Sequence, residues 1–173
     1  AELEMPALAI TDHNNVSAAI QFYKTATAAG IKPIQGAEMT LENGHHLVCL
    51  AENAAGYANL CKLLTCAYQY GHRLNPQVPF QALAEYHRDL IFLSGCRRGE
   101  VPFLILQGKM EAARTAVRRY LAICGRDSFY IELINDLLPH TAQLNRALAE
   151  LAQDLGLKVV ATNNVHYAQK SDF

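Results

Sequence analysis

The sequence predicts an α/β fold built on a mostly parallel sheet, and three observations predict it. Short apolar runs of strand length alternate with longer segments of helical periodicity. Glycines close four of the helical segments: Gly30, Gly108, Gly125 and Gly156. Apolar runs also stop or start at residues able to carry chemistry: His13, Glu38, His46, Cys96 and His166. In α/β proteins the loops beyond the strand ends present side chains from several strands to one point.

The first run is Pro6-Ala-Leu-Ala-Ile-Thr-Asp-His13. Its continuous apolar character predicts a strand buried on both faces, with Thr11, Asp12 and His13 at its C-terminal end. Asn14-Asn15 offers an N-cap to a helix over 16–29 that Gly30 closes. A second strand is expected over 32–41, with Glu38 in its middle or at its end. Asn43-Gly44 is a hairpin-type turn leading to a third strand over 46–51, paired with the second. Residues 54–68 form an amphipathic helix with Tyr57, Leu60, Leu63, Leu64 and Tyr68 on one stripe.

A loop over 71–79, broken by Pro76 and Pro79, precedes a short helix at 80–86. The fourth strand is expected over 89–96, followed by a short helix to 107 and a long one over 109–124. The fifth strand is 129–134. A helix over 140–155 places Leu144, Leu148, Leu151 and Leu155 inward, and the sixth strand, 158–162, runs into Asn163-Asn-Val-His-Tyr167. No linker, repeat or low-complexity segment interrupts the chain, so residues 1–173 read as a single domain. An open sheet and a barrel both satisfy this order. The lack of a glycine-rich phosphate loop argues against a dinucleotide or P-loop fold.

Composition bounds the function. The 173 residues are 51% hydrophobic and 18% charged, enough for a real core. A net charge of −1 excludes a binder that relies on a globally basic surface, so any DNA contact is local. No apolar run approaches the roughly 20 residues needed to cross a bilayer, and the start lacks signal-peptide character. The five cysteines form no C-x-x-C pair, which fits reduced thiols in a cytoplasmic protein rather than disulfides or a zinc ribbon.

Each candidate ligand has a plain alternative. His13 follows Asp12, which could hold its other ring nitrogen as a second-shell acid, or the segment could be a helix-capping turn. Glu38 in an apolar strand is costly unless paired or metal-bound, or it sits at a solvated strand end. His46 lies nearer the buried run than His45. Cys96 ends the fourth strand, where most free cysteines are simply small hydrophobes. Asn164 and His166 share one face if the chain is still extended there, with Asn164 the weaker ligand. Glu132 and Asp136 on the fifth strand are candidates for acids that would support the ligands from behind. Arg97 and Arg98 are the phosphate or DNA contacts, whereas Arg114, Arg118 and Arg119 read as a solvated helix face. Together, imidazole, carboxylate and thiolate suit Zn, or Mn where more oxygen ligands join.

These segments resemble a known family. Pro6-Ala-Leu-Ala-Ile-Thr-Asp-His-Asn-Asn15, Gly30-Ile-Lys-Pro-Ile-Gln-Gly-Ala-Glu38, His46-Leu-Val-Cys-Leu-Ala51, Gly56-Tyr57 with Leu60, Leu93-Ser-Gly-Cys96 and Val160-Ala-Thr-Asn-Asn-Val-His-Tyr167 resemble the PHP (polymerase and histidinol phosphatase) domain. The resemblance is closest to the version carried by bacterial polymerases of the DNA polymerase III alpha type and their error-prone paralogues. It implies a distorted (β/α)7 barrel with up to three Zn or Mn ions at its C-terminal mouth, held here by His13, Glu38, His46, Cys96 and His166. It also implies metal-dependent phosphoester hydrolysis, as a 3′–5′ exonuclease in some members and a decayed, structural site in others. DNA, the rest of a polymerase chain, a proofreading exonuclease and other replisome subunits are the implied partners, with no membrane. The family's first His-x-His strand has no counterpart before Pro6, so the first strand is expected to be missing. Asn164 stands where the family usually has an acid, which implies fewer metals and favours an inactive scaffold. A free-standing phosphatase of the same superfamily fits the Gly56-Tyr57 and Leu93–Cys96 segments less well.

Overall fold

The computed structural model describes residues 4–136 and 138–167. Six strands form one sheet in sequence order: β1 (Ala7–His13), β2 (Lys32–Thr40), β3 (His46–Ala51), β4 (Leu90–Leu93), β5 (Phe129–Ile134) and β6 (Val159–Thr162). β1–β2, β4–β5 and β5–β6 are parallel, while β3 runs antiparallel to both neighbours. The sheet curls into a half-barrel, in agreement with the distorted-barrel expectation. Six helices flank it: α1 (Ala19–Ala28), α2 (Ala54–Tyr70), α3 (Phe80–Tyr86), α4 (Glu100–Leu106), α5 (Met110–Cys124) and α6 (Thr141–Leu155).

The reversal of β3 decides where chemistry collects. The ends of β1, β2, β4, β5 and β6 lie on one rim, and the start of β3 joins them. His13 is opposite Glu38 in the β1–β2 register, and Thr40 is opposite His46 in the β2–β3 register. The Asn43-Gly44 hairpin makes this possible, with Gly44 at φ +80°, a conformation that costs glycine little.

The core beneath the rim joins Met39, Leu41, Leu47, Leu60, Leu63, Leu90, Phe92, Phe129, Ile131, Tyr120 and Leu148, all fully or nearly fully buried. The Tyr120 and Phe129 rings stack at 5.3 Å. Tyr120 donates its hydroxyl hydrogen to Glu100 Oε2 at 2.7 Å, and Arg119 pairs with the same carboxylate. Arg114 pairs with Asp154 at 2.6 Å. Arg114 and Arg119 thus tie α5 to α6 and α4, beyond what a solvated helix face describes, whereas Arg118 is exposed as expected.

Three expectations need correction. β1 is not buried on both faces: Leu8 is 40% exposed, because among the described residues β1 pairs with β2 alone. The stripe on α2 ends at Leu64 and Ala67, since Tyr68 turns out to solvent. Asn14 and Asn15 do not cap α1, which begins at Ala19 without a side-chain cap. Asn15 instead accepts from Ser17, and Asn14 at φ +54° bonds the Thr40 hydroxyl and backbone N–H at 3.0 and 2.8 Å. That last contact pins the β1 exit to the β2 exit.

α2 does have a side-chain cap. Asn53 Oδ1 accepts the Gly56 N–H at 3.0 Å, and Asn53 Nδ2 donates to Asp89 Oδ1 at 2.9 Å. Asn53→Ala removes both bonds at a helix N-terminus, and the expected loss is about 1 kcal/mol of stability, read from the urea midpoint at unchanged slope.

Candidate metal centre

Glu38 is at the centre of the rim. It lies near the end of β2 and is only 8% exposed. β1 delivers His13 on one side of it and β3 delivers His46 on the other. The ligand atoms of His13, Glu38 and His46 all lie within 4.8 Å of one another. His46 Nδ1 is in direct contact with Glu38 Oε1, and His13 Nδ1 is 3.8 Å from the same oxygen. The two imidazoles meet edge to face at 5.4 Å. Cys96, in the loop beyond β4, places Sγ 3.8 Å from Glu38 Oε1.

The electrostatics follow from this packing. The Cys96 thiol and the Glu38 carboxylate together hold the His46 imidazolium, pushing its pKa up to about 9 against the effect of burial. Burial alone would raise the Glu38 carboxyl, but His46, His13 and the Cys96 S–H outweigh it and the net direction is down. A buried carboxylate that stays ionised beside two imidazoles and a thiol is a donor set of the kind that takes Zn or Mn. The residues present fit such an ion: two ring nitrogens, a carboxylate and a sulfur converge from four separate segments.

The loop that carries Cys96 is fixed by β3. The His46 N–H donates to the Arg98 carbonyl at 3.1 Å, and Gly95 at φ +84° lies against the His46 backbone. Cys96, Arg97, Arg98, Glu132, Asp136 and Asn164 line one cavity of about 190 Å³ beside the centre. The Asp136 carboxyl accepts from the Thr141 hydroxyl and from the Leu138 N–H at 3.2 Å, and it is held below its usual range by these bonds and by Arg97.

Glu132 is buried at 5% exposure. Its Oε1 accepts the Thr162 hydroxyl at 2.5 Å, and its backbone N–H donates to Ser94 Oγ at 2.9 Å. Burial first, then the charge on Glu38, hold its carboxyl above the usual range.

Two residues of the proposed set do not come into the cluster. His166 lies exposed beyond the end of β6, because the strand stops at Thr162 and the alternation that would align it with Asn164 stops too. Asp12 cannot serve His13 as its supporting acid: adjacent residues of β1 face opposite sides. Asn14, Ser94 and Thr162 are the residues that reasoning from sequence missed. Their signals were present as an Asn able to take positive φ, a Ser-Gly step and a Thr at a strand end, but none is specific.

No helix of the described residues is long and apolar enough to cross a membrane. The chain is 50% identical to an error-prone DNA polymerase of Symbiobacterium thermophilum, over 98% of this chain and 17% of that protein. It is 41% identical to a DNA polymerase III subunit alpha of Thermus aquaticus, over 98% and 15%, and 39% identical to that of Escherichia coli K12, over 100% and 15%. The chain therefore spans 15–17% of the length of these relatives. The PHP domain model matches residues 1–136, a stretch that includes His13, Glu38, His46, Cys96 and Glu132, and with this match the chain belongs to the PHP domain family.

Proposed function

We propose that this chain is a single metal-binding PHP domain of a DNA polymerase III alpha or error-prone polymerase, hydrolysing phosphodiesters at a DNA 3′ end. The observation that carries the reading is the meeting of His13, Glu38 and His46 around one buried carboxylate, with the Cys96 thiol beside it. The names of the relatives supply the polymer. Zn or Mn held there would polarise the phosphoester and activate water for in-line attack.

The chain's own residues do the rest. His46 is buried and holds Glu38 in place, while His13 is exposed and leaves the centre open to substrate. Arg97 and Arg98, on the rim of the adjoining cavity, offer guanidinium groups to phosphate oxygens. Glu132 and Asp136 stand behind them. The remainder of a polymerase chain, a proofreading exonuclease and other replisome subunits are the proposed partners, in the cytoplasm.

A second reading, a scaffold that holds a metal without turnover, is favoured by the neutral amide of Asn164 and by the exposed His166. Metal analysis followed by a 3′-labelled single-stranded oligonucleotide assay separates the two. The expected result is bound Zn or Mn, with mononucleotide release that chelation abolishes and metal restores. Bound metal with no release leaves the scaffold. No bound metal under any loading condition overturns the metal centre itself.

A further inference from the structure

The donor set around Glu38 is short of negative charge. The imidazoles of His13 and His46 bring none, Cys96 brings charge only as thiolate, and Asn164 is an amide. Glu38 is thus the one carboxylate in the group, which a divalent ion would leave short of neutralising charge. Glu132 stands at the neighbouring wall with an anomaly of its own. Its side chain is buried, Oε1 is used by Thr162, the Gly95 backbone N–H also acts on the carboxyl, and Oε2 is buried with no atom within hydrogen-bond geometry among the described residues. An acceptor buried and left unpaired costs about 1–3 kcal/mol, more when charged.

We infer that Glu132 supplies the second negative charge of the metal centre, with Oε2 as the oxygen left free for the bound cation, directly or through one water. The inference rests on the metal-binding reading above. Three placements support it. Glu132 shares its cavity wall with Cys96 and Asn164. Its backbone is tied to Ser94, two residues before Cys96. Its Oε1 is tied to Thr162, two residues before Asn164. Glu132 therefore joins the exit of β4 through its backbone N–H and the exit of β6 through Oε1, and keeps Oε2 in reserve. The raised carboxyl pKa, driven by burial and by Glu38, agrees with an acid short of a cationic partner.

Glu132→Gln keeps the shape and the bond to Thr162 but replaces the free acceptor with an uncharged donor. Zn²⁺ or Mn²⁺ affinity is expected to fall at least tenfold, and the rise in melting temperature on adding metal is expected to shrink. The metal-free melting temperature is expected to stay the same or rise, because a buried unpaired charge has gone. A lower metal-free melting temperature with unchanged affinity would overturn the inference and leave Glu132 a structural residue.

If both fall, Asn164→Asp in the Glu132→Gln background decides. Recovery of affinity without recovery of stability supports the charge role, and no recovery ends it. Asn164→Asp alone, at an exposed position where folding is not at issue, is expected to tighten binding; unchanged affinity counts against the inference. Metal binding by the native chain that is untouched by Glu132→Gln sinks this inference alone, whereas no metal binding by the native chain sinks the functional reading as well.

Discussion

Glu38→Gln is expected to weaken Zn²⁺ or Mn²⁺ binding by at least about 100-fold, since even the outer partners of metal ligands are worth 10–100-fold. Glu38 is near every other member of the cluster: His46 directly, His13 at 3.8 Å and Cys96 at 3.8 Å. An amide at that position keeps the volume but removes the charge and turns one oxygen into a donor aimed at the cation. His46 would then lose the acceptor that orients it.

The metal-free fold should lose much less than the 3–5 kcal/mol usual for a broken buried ion pair, because an imidazole can shed its proton instead of remaining a stranded cation. Isothermal titration with Zn²⁺ and a melt of the metal-free protein read the two effects separately. His87→Gln, at a partly exposed ring that bonds the carbonyl of Ala84 three residues before it, should alter neither. Native-like affinity in Glu38→Gln would remove the centre from the rim.

The order of strands and helices along the chain and the β2–β3 pairing were readable in the sequence because their signals are local. A hairpin turn at Asn43-Gly44 reverses one strand, glycines stop helices, and apolar runs stop at polar residues. The meeting of His13, Glu38 and His46 was readable for the same reason: all three come from two short exits and one entrance of adjacent strands. Long-range detail was not. Whether β1 is covered depends on a neighbour, and nothing within residues 6–13 encodes a neighbour; the run is apolar whether or not its second edge is paired. His166 was aligned with Asn164 by extending a strand that stops four residues before it. The reserve oxygen of Glu132 depends on Thr162, 30 positions away, a pairing that no spacing rule reports. A member of the PHP domain family is recognised by its ligands, but the residues that hold those ligands in place are seen only in three dimensions.

Gly56→Ala is expected to cause a large stability loss away from the metal centre. Gly56 lies in the first turn of α2, where the helix crosses the loop entering β4. A Cβ there would stand 2.0 Å from the Asp89 carbonyl oxygen and 3.0 Å from its carbon. The neighbour is backbone and cannot rotate away. That carbonyl already accepts the Glu52 N–H at 3.1 Å, Asp89 itself sits at φ +58°, and its side chain is held by the Asn53 cap.

Relief therefore requires α2 to lift from the sheet, and Leu60, Leu63 and Leu64, the residues it buries, would lift with it. Overpacking against a fixed backbone costs typically 1–3 kcal/mol and occasionally more, and here the cap and part of the core contact are lost in addition. We expect at least about 3 kcal/mol, which for a chain of this size lowers the melting temperature by roughly 6–12 °C. Gly108→Asn is the control. Gly108 has φ +71° and open space around its Cα, and asparagine tolerates that conformation, so the melt should hardly move. A mild loss in Gly56→Ala, equal to that of the control, would mean that α2 rides loosely on the sheet and that the approach at Asp89 does not fix it.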